Sequence, residues 1–117
     1  MRTTVLFLTY GFLTVASPAQ TNAEMKQQAA RTYEQADKEM NTAYKKLIGI
    51  LNDEGRKRLR EAQRAWIAYR DAQAGFDSHH FAGGTAEGLE RTGSLNLITR
   101  ERTKRLIADY LRFKDMY

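Results

Sequence analysis

Apolar positions along this chain recur at helical spacing in three places. In the middle, Leu59, Ala62, Trp66, Tyr69, Gln73 and Phe76 follow one another at steps of three and four, which is one face of an α-helix. That face holds the only tryptophan. Upstream, Tyr33, Asp37, Met40, Tyr44, Leu47 and Leu51 make a second such stripe, widened by Met25, Ala29 and Ala36. Downstream, Leu95, Ile98, Arg102, Leu106, Tyr110 and Phe113 make a third. No stretch alternates as a half-buried strand would. Helices with such broad apolar faces are not stable alone, so the three must cover one another.

Local signals predict the boundaries. Thr21-Asn22-Ala23-Glu24 has the form of a capping box, which predicts a first helix from there to about Leu51. Asn52-Asp53-Glu54-Gly55 predicts a tight turn, with the two acids at the favourable N-terminal end of a second helix running to about Phe76. Asp77 to Gly84 reads as a loop, on account of Gly83-Gly84. Thr85 is expected to cap a short, frayed segment through Glu87 or Gly88, weakened by Gly88 and Gly93. The last helix is then expected from Thr92 or Ser94 to about Lys114. The predicted fold is all-α, an antiparallel helical hairpin with a third helix packed on it, resembling a three-helix bundle.

The beginning of the chain reads differently. Arg2 precedes the apolar run VLFLTYGFLTVA, and Ser17-Pro18-Ala19 offers small residues before a cut. These features predict a signal peptide over residues 1–19, cleaved after Ala19, and a single domain over residues 20–117. The run is short for a membrane span. The expected location is therefore periplasmic or secreted.

Composition narrows the chemistry. With 19 basic and 14 acidic residues in 117, the formal charge is +5. There is no cysteine, which excludes a disulfide scaffold, a thiol enzyme and a cysteine-type zinc site. Asp37 and Arg102 are charged members of inner stripes and need partners. If the first turn lies near Asn52, Asp37 comes level with about residue 68. An internal polar cluster of Asp37 with Arg70, Arg102 or both is expected. Lys57, Arg60 and Arg64 form a basic stripe on the outer side of the second helix. That stripe is either a solvated face or a contact for anionic polymer or lipid. The interleaved acids and inward aromatics argue against nucleic acid. His79 and His80 are neighbours without a third ligand at metal spacing, so no metal site or cofactor is expected. The loop residues Asp77, Ser78, His79, His80 and Glu87 are read as a contact surface for a protein partner. No nucleophile stands at a spacing that would place it beside a base, so the chain is not read as an enzyme.

Several blocks resemble the LprI-type lysozyme-inhibitor family, specifically its N-terminal domain. They are Thr21–Met25, Ala36–Asn41 with Tyr44, Ala62–Ala72 (AQRAWIAYRDA), the Gly83-Gly84-Thr85 turn and Thr99–Thr103. The resemblance implies an exported, helical, non-enzymatic domain and, for some members, inhibition of lysozyme. Lysozyme or another envelope protein is then the expected partner, engaged by insertion of the Ser78–Glu87 loop, with Glu87 or Asp77 facing basic residues. The alternative is an envelope-associated structural or adaptor protein that uses the Lys57, Arg60, Arg64 face. Similar sequences carry cysteines near the positions of Gln28, Ala74 and Ser94, and this chain has none of them.

Overall fold

The computed structural model describes Gly11 and residues 17–117. Most of the expected signal peptide lies outside the described residues. Three helices follow in order, α1 (Pro18–Ile50), α2 (Asp53–His79) and α3 (Glu87–Phe113), and no strand occurs among the described residues.

Helix α1 opens with Pro18 in its first turn, where a missing N–H removes no helical bond. The Thr21 N–H donates to the Ser17 carbonyl at 2.9 Å. Thr21 is therefore inside the helix, and the predicted capping box does not form: a proline able to start the helix earlier outcompetes it. The turn at Asn52 is as predicted. Asn52 has extended backbone, and its Oδ1 accepts from the Gly55 N–H at 2.9 Å. Gly55 suits this close approach, since a Cβ there would lie 3.2 Å from both Leu51 Cβ and Asn52 Oδ1. Across the same turn, Arg56 Nε donates to the Ile48 carbonyl at 3.2 Å, satisfying one of the last acceptors of α1.

The predicted loop is shorter than expected. Asp77, Ser78 and His79 continue α2, with Ser78 buried and its hydroxyl donating to the Gly75 carbonyl. Turns then follow closely, with Phe81 N–H bonded to Ser78 O and Gly84 N–H to Phe81 O. Gly83 takes φ 78°, the left-handed region that glycine enters freely. Helix α3 begins at Glu87, well before Thr92, and runs through Gly88 and Gly93. Tertiary packing overrides the glycines, because Leu89, Thr92, Gly93 and Asn96 line a shared surface with Met25, Ala29 and Thr32 of α1.

Helix α3 is the central element. It packs most extensively on α1 and substantially on α2, while α1 and α2 barely touch. Helices α1 and α3 run in the same direction, since residues 25–32 lie beside 89–96 and residues 42–46 beside 103–107. Met40, Ala43, Leu47 and Leu106 form the core, bordered by Tyr44, Leu51, Leu59, Trp66 and Tyr110. The stripes predicted for α1 and α3 do face this core. The one predicted for α2 is rotated. Gln63, Ala74 and Ser78 are its buried residues, whereas Ala62, Tyr69 and Phe76 are exposed.

Candidate functional site

Two surfaces carry the residues singled out from the sequence. The first is an open groove of about 520 Å³ between α1 and α2. Asp37, Met40, Asn41 and Tyr44 line one side, and Arg60, Gln63, Arg64, Ile67 and Arg70 the other. Helix α2 touches α1 here through Gln63, whose Nε2 donates to Met40 Sδ at 3.6 Å.

Asp37 and Arg70 share this groove, at the level the turn implied, but no ion pair within 4 Å joins them among the described residues. Asp37 accepts from Asn41 Nδ2 at 3.3 Å, and Arg70 Nε donates to Asp71 at 2.9 Å. Arg102 is placed elsewhere. Its Nε donates to Gln63 Oε1 at 3.0 Å, and its guanidinium lies 5.9 Å from the centre of the Trp66 ring. Arg70 approaches the same ring at 5.3 Å. The two arginines thus share Trp66 through cation–π attraction, with Gln63 holding Arg102 and Asp71 holding Arg70. Desolvation lowers the pKa of Arg102, an effect that Asp109 partly offsets. Burial raises the Tyr33 pKa, with Arg70 opposing and Asp37 and Asp71 adding to the rise. Both shifts follow from the partial burial of these two side chains.

Gln63 and Trp66 are the members that sequence reasoning missed in this role. Their signal was a second set of three- and four-residue steps, Gln63, Trp66, Arg70, Ala74 and Ser78, which crosses the more apolar stripe at Trp66. Of the basic stripe, Arg60 and Arg64 border the groove, and all three of Lys57, Arg60 and Arg64 are exposed.

The second surface is the corner between α2 and α3. It does not present the five predicted contact residues together. Asp77 is half-buried and accepts from Gln73 and from the Ser94 hydroxyl, tying α2 to α3. Ser78 is buried. Glu87 turns back to accept from the Gly83 N–H at 3.3 Å. His79 and His80 remain outward, with Phe81 beside them in the chain. The His80 ring meets Phe76 edge-on at 5.3 Å between centres and His79 at 6.4 Å. His80 Nδ1 lies 3.3 Å from the Asp77 carbonyl oxygen. No group of three or more metal-binding side chains converges among the described residues. None of the helices there is long and apolar enough to cross a membrane.

Comparison with known proteins places this architecture. No solved structure matches. An uncharacterised protein of Rhizobium meliloti (strain 1021) is 31% identical over 91 residues, which is 67% of this chain and 66% of that relative. The chain thus covers just under two thirds of the relative's length. The family model described as lysozyme inhibitor LprI matches residues 14–106, which takes in α1, α2 and most of α3. This chain belongs to the lysozyme inhibitor LprI family.

Proposed function

We propose that the protein is an exported, non-enzymatic binding domain whose target is a lysozyme. The observation that carries this reading is the family match across residues 14–106. The α2–α3 corner supplies the contact. His79, His80 and Phe81 are its outward side chains, and the tight turns hold them in place. A glycosidase cleft is built around two carboxyl groups. Imidazole donors and aromatic edges suit such a cleft better than acids do. Asp77 and Glu87 are already engaged inside the chain, so the acidic version of this contact loses its support.

The formal charge of +5 gives no long-range attraction to cationic lysozymes. Affinity must then come from short-range fit. Titrating lysozyme on cell-wall substrate with the purified protein should give stoichiometric inhibition that survives high salt. Replacing His80 and Phe81 together by alanine should weaken it at least tenfold. Absence of inhibition at excess protein would exclude lysozyme as the target. The exposed Arg60 and Arg64, which form no ion pair among the described residues, favour a second reading, an envelope-associated role on anionic polymer or lipid. Strong loss of binding to such polymers with added salt would identify it.

A further inference from the structure

The outer face of α2, turned away from the groove, is uncharged for about four turns. Ala62, Ala65, Ala68, Tyr69, Ala72 and Phe76 are all exposed there, and Tyr69 and Phe76 retain 56% and 62% of their accessible surface. At 100° per residue these side chains fall on one side of the helix. The charged residues of the same stretch, Arg64, Arg70 and Asp71, point elsewhere, two of them towards the groove.

We propose that this face pairs with the same face of a second copy, as antiparallel α2 helices related by a two-fold axis at Tyr69. The spacing is self-complementary about that residue. Ala62 and Phe76 are equally far from Tyr69, so each copy's Phe76 meets the other's Ala62, large against small. Ala65 and Ala72 come level within a residue and let the backbones approach. Polar side chains come together at both ends. Glu61 of one copy comes within a turn of His79 of the other, and the symmetry repeats this contact. Both copies use one patch, as a closed two-fold interface requires. Four turns paired this way exclude roughly 1,000 Å² in total, the lower end for a specific interface, so the dimer is weak, with a micromolar Kd. His79 belongs to both surfaces, but sedimentation is measured without lysozyme, so pairing does not depend on the lysozyme reading.

Sedimentation of the purified protein should move from monomer to dimer as concentration rises through the micromolar range. Phe76→Glu and Ala65→Arg, both at exposed sites, should raise the midpoint at least tenfold while leaving the helical circular dichroism unchanged. The chain has no cysteine, so introduced thiols report geometry directly. Under mild air oxidation, Tyr69→Cys should cross-link to itself. A mixture of Ala65→Cys and Ala72→Cys should cross-link far better than either alone. A chain that stays monomeric throughout, a dimer indifferent to both charged variants, or Ala65→Cys linking to itself as well as to Ala72→Cys would each overturn the proposal.

Discussion

Gln63 joins all three helices. Its amide donates to Met40 on α1 and accepts from Arg102 on α3, next to Trp66. Gln63→Ala leaves the partly buried guanidinium without its acceptor, and urea denaturation should show a loss of about 1–3 kcal/mol. Thr99 is the opposite case. It is fully buried, and its Oγ1 has no partner among the described residues. Thr99→Val keeps the shape and removes the unpaired hydroxyl, so the same measurement should show a gain of about 1 kcal/mol. Periodicity showed that Asp37 and Arg102 were unusual and pointed to a cluster of Asp37 with Arg70, Arg102 or both. The obvious candidates were opposite charges, but Arg102 took an amide and an aromatic face. A neutral glutamine beside a tryptophan gives no charge signal in a sequence, which is why this contact was not legible there.

At the scale of elements, helix existence and the α1–α2 turn were legible, because stripes and an asparagine cap act through neighbours in the chain. The beginning of α3 was not. Gly88 and Gly93 argued for a frayed segment, and packing against Met25 and Ala29, far away in sequence, decided otherwise. Both glycines are helical, with open space where a Cβ would stand. Gly88→Ala and Gly93→Ala should each therefore raise stability by about 0.4–1 kcal/mol. Gly83→Ala should instead destabilise by about 1–2 kcal/mol, since its φ of 78° disfavours a side chain. Thermal melts of the three variants would check both signs. The rotation of α2 has a similar origin. Its most apolar face and its best-packing face differ, because Ala74 and Ser78 are small enough to let α3 approach closely. Tyr69 and Phe76 are left outside.

In the whole molecule, α1 and α2 are neighbours in the chain and nearly strangers in space. Helix α3 holds them together from between, and Leu106, fully buried, stands in the core beside Met40 and Leu47. A chain ending at Thr85 should accordingly show neither cooperative unfolding nor more than partial helicity by circular dichroism.

That arrangement bears on the birth of the protein. The helix on which both others rest is the last of the three to be synthesised. While α1 and α2 leave the ribosome they have little to gain from each other, and the nascent chain stays loose. Closure must wait until Leu106 and Tyr110 have emerged, so folding is a late and abrupt event rather than a gradual accretion. A polypeptide that folds late remains unfolded and threadable for most of its synthesis.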